Sequence, residues 1–272
     1  MPTPHTKFKS LRLSLAQLDN LAVAFSGGVD SALLLYAAHE ALGERVMAFT
    51  VNSCLLPLHE LQSAEAFCAL YAIPHTVLDF EALDVPGFAA NPPERCYLCK
   101  RAMLEIINAE ASRRGFSVIA EASNCDDETD YRPGTKAIAE CGVKSPLKEA
   151  GFTKADIRTI SQTLGLPTWD KPSYACLASR LPYRSPITSD LLRRIDAAES
   201  WLLANGLQQV RVRVHGDVAR IECDEQGRKC FASRAFQDET NTTLKAFGFT
   251  FVTLDLAGFV SGSMNQTLNQ TL

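Results

Sequence analysis

The chain has 272 residues, 46% apolar and 21% charged, enough for one large or two modest globular domains. A net charge of −4 gives no global field for nucleic acid, and no apolar run approaches the length of a membrane span. Nine cysteines, an odd count scattered through apolar segments, exclude a secreted disulfide scaffold. With no apolar h-region in residues 1–9, the expected location is the cytoplasm.

In chain order, the first predicted strand is Leu21–Phe25, followed by Ser26-Gly27-Gly28-Val29-Asp30-Ser31 and an apolar helix to Leu42. The glycines let the backbone approach a ligand, the serines add hydroxyl donors, and the helix start points free N–H groups at the same spot. The stretch reads as a pyrophosphate-binding loop, with Ser26, Gly27, Gly28, Asp30 and Ser31 as the expected anion ligands, against the plainer reading of a strand–turn–helix junction with a Gly-Gly turn. No lysine follows the glycines as a Walker A loop requires, which argues against γ-phosphate cleavage. Further strands are predicted at Val46–Val51, His75–Leu78 and Ser117–Glu121, and helices at Leu58–Tyr71 and Lys100–Arg114. Thr153 caps a helix over Lys154–Leu164 that stops at Gly165 and leads into a fifth strand at Pro167–Trp169. Such alternation predicts an α/β fold, a parallel sheet with helices on both faces and ligands at the carboxyl ends of its strands. The polar clusters Ser26–Ser31, Asn52-Ser53, Ser123–Asp130 and Asp170 onward each follow a predicted strand, so a single site is expected there.

Asp84–Cys99 and Ser173–Pro186 lack periodicity and read as long loops, which are often functional. From Thr188 a helix to Asn205, strands Gln209–Val214 and Ala219–Glu222, a helix near Glu225–Phe247 and a strand Thr250–Leu254 make a small α+β domain. The expected division is a nucleotide domain over 1–186, a substrate or oligomerisation domain over 187–265 and a frayed tail over 266–272.

Cys96 and Cys99 form a C-x-x-C at a helix start, flanked by Arg95, Lys100 and Arg101, which favour thiolates. Zinc, a redox dithiol, an iron–sulfur cluster and inert thiols all fit that motif alone; no second C-x-x-C completes a four-cysteine zinc site. Cys176, in a basic, proline-bounded loop after the fifth strand, is the candidate third ligand. The other cysteines are expected to be structural, with Cys125 left open. Asp126, Asp127, Glu128 and Asp130 are either solvated charge or, beside a triphosphate, ligands for Mg²⁺, with Asp126 and Asp127 the leading pair. Arg211 and Arg213 alternate with valines and so share one strand face, opposite Arg220, a fork suited to phosphate or carboxylate.

The S-G-G-x-D-S loop resembles that of the ATP pyrophosphatases (PP-loop enzymes), which split ATP into AMP and pyrophosphate to adenylate an oxygen. Three further stretches resemble the LarE family of ATP-dependent sulfur transferases: Asp130-Tyr-Arg-Pro-Gly134, Ser145–Arg158 and Leu164–Arg180, the last including Lys-Pro-Ser-Tyr-Ala-Cys176-Leu-Ala-Ser-Arg180. So do Val210-Arg-Val-Arg-Val-His-Gly216 and Ser261-Gly-Ser-Met-Asn265, and the likeness spans nearly the whole chain. The resemblance implies adenylation of the carboxylates of pyridinium-3,5-biscarboxylic acid mononucleotide and replacement of oxygen by sulfur, in nickel-pincer nucleotide biosynthesis. It implies Cys176 as the catalytic sulfur site and Arg180, Arg211 and Arg213 as substrate ligands. One family type sacrifices the sulfur of a single cysteine; another, with C-x-x-C and the same cysteine, is thought to carry a [4Fe-4S] cluster, and Cys96, Cys99 and Cys176 match the second. Arg184, where relatives often carry glycine, is a departure. A sulfide source, a small-molecule nucleotide substrate and a homo-oligomer are the expected partners, with neither membrane nor nucleic acid. A tRNA thiolase is the rival reading, disfavoured by the net charge and the short second domain.

Overall fold

The computed structural model describes residues 2–128, 133–172, 175–260 and 262–268. The chain divides into two units: Met1–Ser53, Leu58–Glu81 and Glu94–Tyr174 form the first, and Cys54–Pro57, Ala82–Pro93 and Ala175–Leu272 the second.

The first unit is built on four parallel strands, β1 (Leu21–Ala24), β2 (Val46–Asn52), β3 (His75–Asp79) and β4 (Ile119–Ala120), in the order β3-β2-β1-β4. Its helices are α1 (Pro4–Leu15), α2 (Val29–Leu42), α3 (Leu58–Leu70), α4 (Arg95–Arg113), α5 (Gly134–Glu140), α6 (Pro146–Glu149) and α7 (Lys154–Thr163). Successive strand residues face opposite sides of a sheet. Val23 and Ala120 accordingly pack with Leu11, Leu34, Ala64 and Ile160 of α1, α2, α3 and α7, whereas Ala24 and Ile119 pack with Leu104 of α4 and Ile138 of α5. α2 is buried almost all round because it lies between the sheet and α1 and α7.

Two expectations change in this unit. No strand forms at Pro167–Trp169: Trp169 N–H bonds Leu166 O and Lys171 N–H bonds Thr168 O, a succession of turns after a proline with no N–H for a ladder. Lys144 instead bridges Ala120 in parallel beside β4. α4 begins at Arg95, ahead of the predicted Lys100, so the C-x-x-C lies within its first turns.

The second unit has β5 (Val210–His215) antiparallel to β6 (Val218–Cys223), and β7 (Phe251–Leu254) parallel to β6. Its helices are α8 (Ser189–Ala204), α9 (Glu225–Cys230) and α10 (Arg234–Ala246). The predicted helix over Glu225–Phe247 is two, because Ser233 restarts it as an N-cap whose hydroxyl accepts from Phe236 N–H. One sheet face carries Val210, Val212, Val214, Ala219, Ile221 and Cys223, all buried. Arg211, Arg213 and His215 lie on the other face, opposite Glu222, Arg220 and Val218. No described helix is long and apolar enough to cross a membrane.

Candidate functional site

β1 ends into Phe25–Gly28, and α2 starts with Gly28 as its cap, so Asp30 and Ser31 occupy its first turn. Ser26 Oγ lies 3.1 Å from Ser31 Oγ and accepts from Gly28 N–H at 3.4 Å, while Ser31 Oγ donates to Gly28 O at 3.1 Å. Gly27 has φ +72°, and a Cβ there would stand 3.2 Å from Ala64 Cβ on α3. Glycine is thus required by backbone conformation and by the helix behind the loop, whatever the loop binds.

Two lysines that sequence reasoning missed hold this loop. Lys154, the first residue of α7, pairs with Asp30 Oδ2 at 2.6 Å. Lys171 Nζ donates to Gly27 O at 3.0 Å and Ser63 Oγ at 2.9 Å, and pairs with the buried Glu60 at 3.0 Å. Asp30 Oδ1 is buried with no hydrogen-bond partner among the described residues. Burial pushes the Asp30 carboxyl up; Lys154 opposes this and the like charge of Asp127 adds to it. Asp126 Oδ2 accepts from Lys154 N–H at 2.8 Å, and Asp127 Oδ2 accepts from Asn124 N–H at 3.0 Å. The structure therefore brings Asp30 and Asp126 onto Lys154, with Asp127 near enough for its charge to act on Asp30.

At the end of β4, buried Glu121 receives Lys100 Nζ at 3.0 Å, Ser145 Oγ at 2.6 Å, and the N–H and Oγ of Ser123, each at 2.9 Å. Burial raises the Glu121 carboxyl, but Lys100 and these donors outweigh it and hold it below the ordinary range. Lys100 follows directly on Cys99, so Glu121 fixes the turn that carries the C-x-x-C. Cys96 is exposed and Cys99 buried, its Sγ 3.5 Å from Met103 Sδ.

Cys176 lies on the second unit, with no fifth strand before it; it is exposed and caps the 3-10 turn Leu177–Arg180. Leu177 N–H bonds Leu55 O at 2.9 Å and Ser179 N–H bonds Cys176 O at 3.0 Å. Arg180, expected as a substrate ligand, is 0% exposed and grips Glu199 with both Nε and Nη2. Arg213 donates to Glu222 Oε2 at 2.9 Å and Ser179 O at 3.0 Å; Arg220 pairs with Glu222 and Asp255. Arg211 bonds Val210 O at 2.7 Å and stands 5.4 Å from the Phe259 ring centroid. Both expected strand arginines are buried, 2% and 5% exposed, and Arg213 belongs to a network of alternating charge with Glu222, Arg220 and Asp255. An open cavity of about 580 Å³ lies on the same sheet face, lined by His215, Arg220, Glu222, Asp255, Ser263 and Met264 among others. Glu199 had a legible signal: it falls on the buried stripe Leu192, Ile195, Leu202 of α8, where a carboxylate needs a partner.

Among the described residues, no three His, Cys, Asp or Glu side chains form a group that could hold a metal ion, so the cluster expectation rests on the sequence pattern. Asp130, Tyr131, Arg132, Ser173, Tyr174 and Ser261 of the motifs lie outside the described residues. Of the cysteines taken as structural, burial pushes Cys68 up to about 12 and Cys223 up to about 11. Peptide-resolved alkylation of the native protein is therefore expected to modify Cys96 and Cys176 first and to spare Cys68 and Cys223 until unfolding. Early labelling of the latter two would show that the core opens readily.

No family model matches the chain. It is 40% identical over 266 residues to an uncharacterized protein of Synechocystis sp., spanning 97% of this chain and 99% of the relative. One of the subunits of the glutamine-hydrolyzing GMP synthase of Thermoplasma acidophilum is 26% identical over 189 residues, 63% of this chain and 60% of that polypeptide. The pyridinium-3,5-bisthiocarboxylic acid mononucleotide synthase of Lactiplantibacillus plantarum is 38% identical over 273 residues, spanning 99% of this chain and 98% of the synthase. With that identity along almost all of both chains, and with the parallel PP-loop-type sheet, the chain belongs to the family of this synthase, the LarE family that its motifs resemble.

Proposed function

We propose that this protein is an ATP-dependent sulfur transferase that converts the carboxylates of pyridinium-3,5-biscarboxylic acid mononucleotide to thiocarboxylates in the cytoplasm. The observation that carries the reading is the Ser26–Ser31 loop, whose hydroxyls and helix-start amides converge at the carboxyl end of β1 in a member of the synthase family. A substrate carboxylate oxygen attacks the α-phosphorus of ATP and pyrophosphate leaves. Sulfur from the Cys176 loop then attacks the acyl carbon, and AMP leaves in place of oxide, a far poorer leaving group.

Mg²⁺ fits the residues present: Asp30 Oδ1 is a buried oxygen with no hydrogen-bond partner among the described residues, beside a second carboxylate at Asp127. Asp30, with Asp126 or Asp127, would contact an ion carried chiefly by the triphosphate oxygens, and that ion would neutralise the departing pyrophosphate. The thiols of Cys96, Cys99 and Cys176 suit iron by their chemistry, and a bound [4Fe-4S] cluster would supply an iron-held sulfide. Arg211 and Arg213 supply positive charge to the substrate domain from 187 on, and Arg180 acts on the cysteine loop instead. A homo-oligomer is part of this reading.

The test is pyrophosphate release with the biscarboxylated nucleotide against tRNA as acceptor. Release with the nucleotide alone is expected, and release with tRNA alone would overturn the reading in favour of tRNA thiolation. Arg211→Ala is expected to raise the half-saturating concentration of the mononucleotide at least tenfold, since losing a charge-assisted contact costs about 1.5–3 kcal/mol. ATP saturation should stay unchanged; an unaltered response to the mononucleotide would remove Arg211 from the substrate site.

A further inference from the structure

Arg180 heads the largest side chains wholly removed from solvent, and Glu199, its partner, is 2% exposed. Nε meets Oε1 at 2.8 Å and Nη2 meets Oε2 at 2.7 Å, the bidentate fork that fixes a guanidinium in one orientation. The remaining nitrogen turns back onto its own loop, where Nη1 donates to Ala175 O at 2.6 Å, Cys176 O at 3.2 Å and Ser179 Oγ at 2.9 Å. Glu199 is itself anchored, since Oε1 also accepts Val212 N–H of β5 at 2.8 Å. Two side chains thus tie the carbonyl of Cys176 to the middle of α8 and to the sheet of the second unit. Arg213, through Ser179 O, adds a second tether.

Apolar residues of similar volume often match a buried ion pair in stability, so this pair's use is better sought in the geometry it specifies. A loop whose sulfur must meet an activated carbon needs such geometry, because a misplacement of about 1 Å can cost a hundredfold in rate. We propose that Arg180 and Glu199 are positioning residues that hold Cys176 for the sulfur-transfer step and take no part in adenylation. This rests on the reading of Cys176 as the sulfur-bearing residue.

The test separates the two half-reactions in Arg180→Lys and Glu199→Gln, the second being the milder change should the first not fold. Substrate-dependent ATP–pyrophosphate exchange is expected within twofold of the parent at unchanged KM for ATP, while sulfur transfer falls at least tenfold. Amide exchange at Leu177 and Ser179 should accelerate, while that of β1 and β2 stays unchanged. A purely structural role would lower both half-reactions together with the folded fraction, and that result would overturn the proposal, as would sulfur transfer within twofold of the parent. Cys176→Ala is the control. If it still inserts sulfur, the reading of Cys176 fails and the proposal with it. If it is inactive while both clamp variants transfer sulfur normally, the clamp alone is refuted.

Discussion

Asp30→Asn is expected to slow ATP-dependent AMP formation at least a hundredfold while leaving thermal stability unchanged or raised. The Asp30 carboxyl is pushed up by burial more than Lys154 pulls it down. A group whose folded-state pKa lies above its unfolded value contributes stability below the unfolded pKa, and that contribution is lost as pH rises through the folded pKa. At neutral pH the carboxylate therefore costs folding free energy, and the isosteric amide removes the cost, leaving Lys154 to solvate at the protein surface. The same substitution replaces the carboxylate proposed to meet the cation on the triphosphate by a neutral amide. Losing that charge is expected to slow adenylation at least a hundredfold, about 2.7 kcal/mol. Calorimetry and an AMP assay on one preparation check both halves; wild-type adenylation would sink the assignment of the loop to ATP. Asp30 is a cleaner probe than Gly27, where any side chain meets a positive φ and Ala64 before it meets a nucleotide.

The strand–loop–helix at residues 21–31 was legible because everything defining it is local: a buried strand, two glycines, two hydroxyls and a helix start within eleven residues. Buried parallel strands read as apolar runs, which is why β1 and β2 fall where the sequence puts them; β3 falls there too, although it is an edge strand with no buried residue. The fifth strand failed because Pro167 and the turns after it cannot supply ladder donors. α1 escaped notice because only Leu11 and Leu15 of its twelve residues are buried, too few to set a period. What the sequence could not show is which charges meet. Lys154 and Asp30 lie 124 residues apart, and Lys171 reaches Gly27 across 144. Arg180 illustrates the same limit: an arginine beside a reactive cysteine reads as a substrate ligand, and only the fold reveals Glu199 on α8 as its partner.

How the sulfur is supplied is decided by iron content and by the mass of Cys176. Three thiolates can hold three irons of a cubane and leave the fourth open to sulfide, whereas electron-transfer clusters are commonly held by four cysteines. Anaerobically reconstituted protein is expected to show broad charge-transfer absorption with about four irons per chain. Cys96→Ala, Cys99→Ala and Cys176→Ala should each lose it, while substitution of Cys68 or Cys223, whose thiols burial holds protonated, should not. Turnover with added sulfide should then be multiple, with Cys176 keeping its mass. The competing outcome has its own signature, and the exposure of Cys176 gives its sulfur direct access to a substrate. There, Sγ of Cys176 would bond to the acyl carbon as AMP leaves, a base would take the Cys176 α-proton, and the Cβ–Sγ bond would break. The thiocarboxylate would depart with the sulfur, and residue 176 would remain as dehydroalanine, lighter by one H₂S. A single turnover without iron, ending in that mass loss, would replace the cluster by the sacrificial route. Cys176→Ala is expected to be inactive by both routes, and Cys96→Ala by the first alone, so the activity of Cys96→Ala is the sharpest single measurement between them.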